Sequence, residues 1–240
     1  MASVCRYFEY YNYSIMEGFV LAAGLGTRLR PLTDDRPKAL VEVGGMTLLE
    51  RTIHTLEAAG IEHIVVNIHH FADKMRAFIG SQRWKAKVDI SDESGLLLDT
   101  GGGLKKAAPL FAGTGNILVH NVDILSEIDL RDVERKHEAD GNLVTLCVSS
   151  RETKRLLEFD GEGRLVGRAE HGLAFSGISV VSPALFALLP EADHPYPVID
   201  EYIRLSREGH RIGSYIHPAD RWLDVGKPET LELAKRWKLS

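Results

Sequence analysis

A buried strand that runs directly into a glycine-rich loop is the feature that most constrains this chain. Residues Phe19 to Ala23 form an uninterrupted apolar run, and Gly24 and Gly26 follow it at once. Such a run is typical of a parallel strand covered on both faces, and small residues after it let backbone N–H groups approach an anion. Arg28 and Lys38 add positive charge close by. The segment therefore predicts a phosphate-binding loop.

Two familiar phosphate loops are excluded by the residues present. The Walker pattern Gly-x4-Gly-Lys-Ser/Thr occurs nowhere in the chain, and a dinucleotide-binding loop needs a third glycine where Leu29 stands. An ordinary strand-to-helix turn explains the glycines, but it does not explain Arg28 together with the Pro37-Lys38 pair. Backbone donors followed by spaced cations suit a nucleoside triphosphate, whose negative charge builds up during transfer. We therefore expect a nucleoside triphosphate at this loop.

The bulk composition favours one large α/β domain without a polyanionic partner. At 240 residues with 44% hydrophobic side chains, the chain can bury a sizeable core. A net charge of −5 provides no basic field for a nucleic-acid backbone, so no nucleic-acid partner is expected. Cys5 and Cys147 are too far apart in sequence for a disulfide framework, which favours a reducing compartment, the cytoplasm.

Residues 1–15 are predicted to form an N-terminal extension to a domain at residues 16–240. They have neither the apolar core of a signal peptide nor the length of a membrane span, so no membrane partner is expected. Met16 stands just before the first predicted strand, so translation from Met16 is one alternative. The other is an aromatic arm that docks on the domain or on a partner. The sequence leaves open whether the protein is a monomer or a small homo-oligomer.

Short β-rich runs alternate with longer helical stretches along the chain. This alternation predicts a single-domain, Rossmann-like, mixed but mostly parallel sheet with helices on both faces. The predicted strands are 18–23, 63–68, 87–91, 116–122, 143–149, 174–181 and 211–217, with a hairpin at 156–159 and 164–167. The predicted helices are 47–59, 71–79, 104–110, 129–139, 199–208 and 228–237, and Thr47 is a candidate N-cap of the first.

Two aspartates, Asp123 and Asp224, each follow a short apolar run. Loops from several strands converge at the carboxyl edge of an open α/β sheet, so these side chains can meet despite their separation in sequence. Mg²⁺ prefers a few carboxylates together with phosphate oxygens and water, and two aspartates are enough for such a site. An isolated aspartate is more often a turn or helix-cap residue, as we expect for Asp34 and Asp129.

The chain resembles the nucleotidyltransferases that join a nucleoside triphosphate to a sugar 1-phosphate. Their opening signature, Leu-Ala-Ala-Gly-x-Gly-Thr-Arg-x-x-Pro-Leu-Thr with a following Pro-Lys, stands here at residues 21–33 and 37–38. The resemblance covers about residues 16–237 and continues through Asp99 to Gly103, Asn121-Val122-Asp123, Phe175 to Ser179 and Trp222 to Gly226. Within the family the chain is most similar to the small bacterial uridylyltransferases that act on N-acetylmuramic acid 1-phosphate.

The resemblance implies the fold of the nucleotide-diphospho-sugar transferases and a magnesium-dependent reaction. The sugar phosphate would attack the α-phosphorus in line and release pyrophosphate, with no protein nucleophile. Arg28 is expected to neutralise the β- and γ-phosphates, and Lys38 to contact the α-phosphate and the attacking phosphate. Asp123 and Asp224 match the pair that holds the metal, although Val122 replaces the usual glycine between the asparagine and the aspartate.

The resemblance also assigns binding residues to the two substrates. Small residues can accept a flat base against the backbone. Those expected to bind the nucleotide are Leu21, Ala22, Ala23, Gly24, Gly26, Thr27, Thr100, Gly101 and Gly102. Those expected to bind the sugar are Asn67, Asn121, Glu170, Ser176 and Gly177, although the usual Glu-Lys-Pro is absent around Glu170. Packing within a strand is the alternative explanation of Ser176.

Four functions are compatible with the sequence. Transfer from UTP to N-acetylmuramic acid 1-phosphate, in cell-wall sugar recycling, is the one that the resemblance favours. A guanylyltransferase on mannose or heptose 1-phosphate, or a cytidylyltransferase on an alcohol phosphate, would differ around residues 92–103 and 168–177. A non-catalytic nucleotide-sugar binding or regulatory subunit is a rival from another class, suggested by Val122. The two cations and two aspartates argue against it, since a binder needs no group to stabilise pyrophosphate.

Overall fold

The computed structural model of the chain describes residues 16–235. The predicted extension at residues 1–15 and the end of the predicted C-terminal helix lie outside this range. The strands are β1 (Glu17–Leu21), β2 (Glu42–Val43), β3 (Met46–Thr47), β4 (His63–Ile68), β5 (Lys87–Asp92), β6 (Ile117–Asn121), β7 (Ile124–Ser126), β8 (Val144–Ser149), β9 (Leu156–Phe159), β10 (Leu165–Ala169), β11 (Leu173–Val181), β12 (Ile212–Ile216) and β13 (Trp222–Asp224). The helices are α1 (Leu48–Ala58), α2 (Ala72–Ser81), α3 (Asp99–Ala107), α4 (Leu130–Asp140), α5 (Val198–Arg207) and α6 (Pro228–Ala234). In the described range, no helix has the length and apolar character needed to cross a membrane.

One nine-stranded mixed sheet forms the centre of the fold. β1 lies between β4 and β6, β5 flanks β4, and these four strands are parallel. β11 pairs antiparallel with β6 and β8, and β12 continues the sheet parallel to β8. The β9–β10 hairpin, which was predicted, joins the start of β11. Only β10 and β11 run against the other strands of this sheet, so the prediction of a mixed, mostly parallel sheet is confirmed.

Helices cover both faces of the sheet, as predicted. Successive side chains of a strand point to opposite faces, and Phe19 and Val20 accordingly enter different cores. The Val20 core includes apolar residues of α1, α2, α4 and α6, whereas the Phe19 core includes those of α3 and α5. Both residues are completely buried, and burial of one such side chain contributes about 2 kcal/mol. The fold therefore consists of two helical layers around one sheet.

Helix α1 begins at the predicted cap. The Glu50 N–H donates to Thr47 Oγ1 at 3.1 Å, and the Thr47 N–H donates to Glu50 Oε2 at 2.8 Å. This reciprocal pair satisfies two backbone donors that the first turn of a helix leaves without partners. The helix then buries Leu49, Ile53 and Leu56 on the sheet. Local capping and apolar spacing thus agree on where α1 starts and which side faces inward.

Helix α3 begins earlier than the sequence indicates. It starts at Asp99 and contains the triple glycine, whereas the prediction placed the helix after the glycines, at residues 104–110. Glycine disfavours a helix interior by about 1 kcal/mol, but close packing overrides that preference here. A β-carbon on Gly101 would lie 2.4 Å from the Tyr196 ring, and one on Gly103 would lie 2.7 Å from Glu93 Oε1. The glycines let α3 lie directly against its neighbours.

Candidate active site

A cavity of about 440 Å³ opens where β1, β4 and β6 end. The rule that ligands bind at the carboxyl edge of an open α/β sheet locates a site at this position. The lining residues come from the ends of these strands and from segments distant in sequence: Leu21, Ala22, Ala23, Gly24, Lys38, Asn67, Leu97, Asp99, Thr100, Asn121, Val122, Asp123 and Pro195. The cavity therefore joins the predicted phosphate loop, Lys38 and Asp123 in one place.

The predicted phosphate loop folds back onto the Pro37-Lys38 segment. Gly26 has φ 65°, a left-handed conformation that favours glycine. A β-carbon there would lie 2.8 Å from Lys38 Cβ, and the Thr33 hydroxyl donates to the Gly26 carbonyl at 2.9 Å. Gly26 is thus needed both for the turn and for the approach of Lys38. Thr27 begins a short 3-10 turn that carries Arg28.

Lys38 and Asp123 form a nearly buried ion pair. Lys38 Nζ donates to Asp123 Oδ2, and the two side chains are only 12% and 11% exposed. Charges this far from water need a partner, because desolvation disfavours each of them alone. The pair brings an ammonium group and a carboxylate to the cavity wall, where both can meet a phosphate.

Asp224 reaches Asp123 through a small second sheet. β13 pairs antiparallel with β7, which sets Asp224 opposite Ile124, and the Val225 N–H donates to the Asp123 carbonyl at 2.9 Å. The structure thus brings together the two aspartates that the sequence singled out. Burial raises the pKa of Asp224, and the neighbouring negative charge of Asp123 raises it further. The two carboxylates therefore repel one another unless a positive charge lies between or beside them.

Arg28 and Gly226 complete this cluster. Arg28 Nη2 lies 4.0 Å from Asp224 Oδ2, and its guanidinium side chain is 55% exposed. A β-carbon on Gly226 would lie 2.6 Å from Arg28 Nη2, 2.7 Å from Asp224 Oδ1 and 3.1 Å from Asp123 Oδ2. Any side chain at position 226 would consequently collide with the guanidinium and with Asp224, and the Gly226 N–H donates to Asp224 Oδ1 at 2.7 Å.

The donor set of this cluster fits Mg²⁺. Asp123 and Asp224 offer hard carboxylate oxygens, and no group of three or more His, Cys, Asp or Glu side chains that could hold a metal occurs within residues 16–235. An ion that prefers one or two carboxylates and completes its shell with phosphate oxygens and water matches such a pair. Val122, which replaces a glycine of the family motif, is buried in the Val20 core and leaves both carboxylates in place.

On the nucleotide side, the structure separates Thr100 from the glycines that follow it. Thr100 lines the cavity, and its hydroxyl accepts the Val198 N–H at 2.9 Å. Gly101 and Gly102 lie under Tyr196 and do not line the cavity. Sequence reasoning missed Leu97, Asp99, Val122 and Pro195 as lining residues. Asp99, with φ 58°, could have been found from its place in the motif before the glycines, whereas Pro195 is brought there only by the tertiary fold.

The residues expected to bind sugar are divided between several places. Asn121 lines the cavity, and Gly177, with φ 74°, lies against its side chain. Ser176 is buried and bonded to His217 Nε2 at 2.7 Å, so its hydroxyl already has a protein partner. Glu170 is exposed in the loop between β10 and β11 and does not line the cavity. Asn67 lines the cavity next to the phosphate loop instead of beside Ser176.

One arginine near this region was not singled out from the sequence. The Arg151 guanidinium lies 3.7 Å from the centre of the Trp222 ring, in cation–π geometry. It also donates to Ser176 Oγ at 3.0 Å and to the Phe175 carbonyl. Trp222, at the start of β13, donates from its indole N–H to the Ser176 carbonyl at 2.7 Å. No local sequence signal connects Arg151 with Trp222.

Comparison with known proteins identifies the family of the chain. The pattern of the nucleotidyl transferase family matches residues 17–166. N-acetylmuramate alpha-1-phosphate uridylyltransferase of Caulobacter vibrioides is 36% identical over 224 residues, covering 88% of this chain and 91% of that protein. The protein of the same name from Neisseria meningitidis serogroup B is 29% identical, covering 93% of this chain and all of that protein (100%).

A solved structure shares the fold. HddC from Yersinia pseudotuberculosis, complexed with GMP-PN, superimposes with a TM-score of 0.76 at 23% sequence identity, covering 92% of this chain and 98% of that chain. The family match spans well over half of the chain and includes the phosphate loop, Lys38 and Asp123. The chain therefore belongs to the nucleotidyl transferase family and is a nucleotidyltransferase enzyme.

Proposed function

We propose that the protein transfers a uridylyl group from UTP to N-acetylmuramic acid 1-phosphate, with Mg²⁺, in the cytoplasm. The products are the UDP-sugar and pyrophosphate, and the reaction serves the recycling of cell-wall sugars. The observation that carries the proposal is the cluster in which Arg28, Asp123 and Asp224 meet around Gly226 and Lys38 pairs with Asp123 at the wall of the 440 Å³ cavity. Two cations and two carboxylates at one point suit phosphoryl chemistry.

The acceptor supplies its own nucleophile. An oxygen of the sugar phosphate, already anionic, forms a bond to the α-phosphorus, while the bond from that phosphorus to the bridging oxygen of the β-phosphate breaks. Pyrophosphate leaves with the electron pair of that bond, and no proton transfer is needed. Catalysis then consists of positioning and charge stabilisation. This requirement agrees with a cluster that contains charged groups.

Each side chain has a role that follows from where it lies. Lys38, nearly buried at the cavity wall, binds the α-phosphate and the attacking phosphate. Arg28, more exposed and beside Asp224, binds the β- and γ-phosphates and stabilises the pyrophosphate as it leaves. Asp123 and Asp224 would hold the metal. When bound, Mg²⁺ supplies positive charge that neutralises the phosphate oxygens and the two carboxylates.

The choice of substrates rests on the relatives that match most of the chain. Both uridylyltransferases named above align over at least 88% of it, so the similarity extends through the segments that form the acceptor side. The free, buried Cys147 agrees with a reducing compartment, which supports the cytoplasm.

Pyrophosphate release across a matrix of substrates tests the proposal. UTP, GTP, CTP, ATP and dTTP are each paired with N-acetylmuramic acid, N-acetylglucosamine, glucose, mannose and heptose 1-phosphates, in the presence of Mg²⁺. The proposal predicts turnover with UTP and N-acetylmuramic acid 1-phosphate well above any other pair. Preferred turnover with GTP and a mannose or heptose phosphate would replace the substrates while leaving the reaction class intact.

A further inference from the structure

A chain of buried hydrogen bonds connects two segments that line the 440 Å³ cavity. Asn67 Oδ1 accepts the backbone N–H groups of Ala22, at 2.6 Å, and of Ala23, at 3.0 Å. Asn67 Nδ2 donates to Glu93 Oε1 at 2.7 Å, and Glu93 Oε2 accepts the Leu98 N–H at 3.1 Å. The chain of bonds thus runs from the start of the phosphate loop to the segment that precedes α3.

The Asn67–Glu93 pair is almost fully buried, with Asn67 at the wall of the cavity. Asn67 is 1% exposed and Glu93 is 0% exposed, and burial raises the pKa of the Glu93 carboxyl. A buried polar pair is stabilising only when its hydrogen-bonding groups have partners, because a buried donor or acceptor without a partner loses its bonds to water and gains none in return. Here the loop N–H groups donate to Asn67, and the Asn67 amide and the Leu98 N–H each donate to one oxygen of Glu93. The pair can therefore hold the two segments at one separation.

Helix α3 lies directly on this pair. A β-carbon on Gly103 would be 2.7 Å from Glu93 Oε1 and 3.0 Å from Asn67 Nδ2, both closer than side chains normally approach. The third glycine of the motif is thus explained by the Asn67–Glu93 pair below it. The pair, the phosphate loop and α3 form one continuous contact.

We propose that Asn67 and Glu93 are positioning residues that fix the phosphate loop relative to the segment 97–100, and thereby set the affinity for the nucleoside triphosphate. Ala22, Ala23, Leu97 and Thr100 all line the cavity, so a nucleotide that fills it must contact both segments. The inference rests on the proposed function in one respect, that the nucleotide occupies this cavity. It assigns Asn67 an action through the backbone of the loop instead of a contact with sugar.

The binding of the sugar phosphate serves as an internal control for the binding of the triphosphate. The hydrogen bonds of Asn67 and Glu93 reach the phosphate loop and Leu98, and none of them reaches Asn121 or Gly177. Disturbing the pair is therefore expected to raise KM for the triphosphate, while KM for the sugar phosphate at saturating triphosphate stays unchanged. A general loss of stability would not raise one KM and leave the other unchanged.

An exchange of donor and acceptor tests the pair. Glu93→Gln sets a second NH₂ group against either the Asn67 amide or the Leu98 N–H, and Asn67→Asp sets a second carboxylate against Glu93. The double variant Asn67→Asp/Glu93→Gln restores every bond, because Asp at 67 accepts from the loop and from the Gln amide, whose carbonyl accepts the Leu98 N–H. Gly103→Ala separates the pair sterically without changing either member.

The measurement is the Kd of the triphosphate that wild-type enzyme turns over, together with KM for each substrate. We expect each single variant and Gly103→Ala to raise that Kd about tenfold, and the double variant to recover most of the affinity. Val133→Ala, a core truncation in α4, is the control for lost stability and should leave the Kd unchanged. Wild-type Kd values in the single variants, or a double variant that binds no more tightly than they do, would overturn the inference.

If a single variant does not fold, the Kd values of Gly103→Ala and of the double variant decide whether the pair sets the affinity. A wild-type preference for a triphosphate other than UTP would correct the proposed substrate alone, because the Kd is then measured with that triphosphate.

Discussion

At the scale of single residues, charge placement distinguishes the arginines of the phosphate loop. Arg28 approaches Asp224, whereas Arg30, two positions later, pairs with Asp34 at 3.4 Å on the surface. A surface pair of this kind contributes at most about 1 kcal/mol to stability. Of these two arginines, only Arg28 therefore lies beside an aspartate of the proposed catalytic cluster.

Arg28→Ala and Lys38→Ala are expected to keep the fold but to lose most turnover, each by about 100-fold, because each removes a cation that stabilises developing charge. Arg30→Ala is the matched control and should retain nearly full activity. Steady-state pyrophosphate release measures the turnover of each variant, and circular dichroism checks that each variant is folded. Wild-type rates in either of the first two variants would refute the assigned roles.

Gly226→Ala should abolish most activity without unfolding the protein. The added methyl group would enter the space between Arg28, Asp224 and Asp123. The carboxylates must then move apart, and small displacements of catalytic groups lower rates strongly. Gly80→Ala, in α2, provides the control because no atom lies within 4 Å of its β-carbon position. That control should be as active as wild type and slightly more stable, by about 0.5–1 kcal/mol.

At the scale of elements, the start of α1 illustrates how much local sequence determines. Thr47→Ala removes the capping bond to the Glu50 N–H and should lower the free energy of unfolding by about 1 kcal/mol. Thr47→Ser keeps the hydroxyl, so its free energy of unfolding should decrease much less. Urea denaturation of both variants measures the difference. Equal stabilities would show that the cap contributes nothing to folding.

Elements that are defined by local pattern were predictable, and those defined by distant contacts were not. The bounds of β4 agree with the prediction because its apolar run ends in polar residues on both sides. The glycine-rich start of α3 was missed because its stability comes from Tyr196 and Glu93, which no helical periodicity reveals. The β7–β13 pairing that joins Asp224 to Asp123 involves two three-residue strands far apart in sequence. Their meeting could be expected from the topology of α/β sheets, but the pairing itself could not.

At the scale of the whole molecule, buried histidines make stability depend on pH. His137 bonds to Thr145 Oγ1 at 3.0 Å and to Ser182 Oγ at 2.9 Å between α4 and the sheet. Burial lowers its pKa to about 4, although the nearby Asp140 opposes that shift. The unfolded chain binds the proton more readily, so this residue stabilises the fold above its unfolded pKa, near 6.5. The contribution is lost as pH falls through that value toward 4.

His137→Gln should reduce the loss of stability on acidification. Glutamine does not titrate, so the decrease in the free energy of unfolding between pH 7.5 and pH 5 should be smaller by about 1–2 kcal/mol. Urea denaturation at both pH values gives the comparison. Burial also lowers the pKa of His120 to about 4. This residue remains in the variant, so it continues to contribute to the pH dependence of stability. The same pH dependence in variant and wild type would show that His137 does not cause the loss of stability on acidification.

We propose one catalytic centre in which Asp123 and Asp224, which meet only through the tertiary fold, act together with Arg28 and Lys38. Its most direct test is the Mg²⁺ dependence of pyrophosphate release for wild type and Asp224→Asn, with UTP and N-acetylmuramic acid 1-phosphate. We expect wild-type turnover to require Mg²⁺ and to stop with excess chelator. We also expect the variant to lose about 100-fold or more in turnover at any Mg²⁺ concentration. Turnover that persists in chelator, or a variant with wild-type rate and Mg²⁺ dependence, would refute the shared role of the two aspartates.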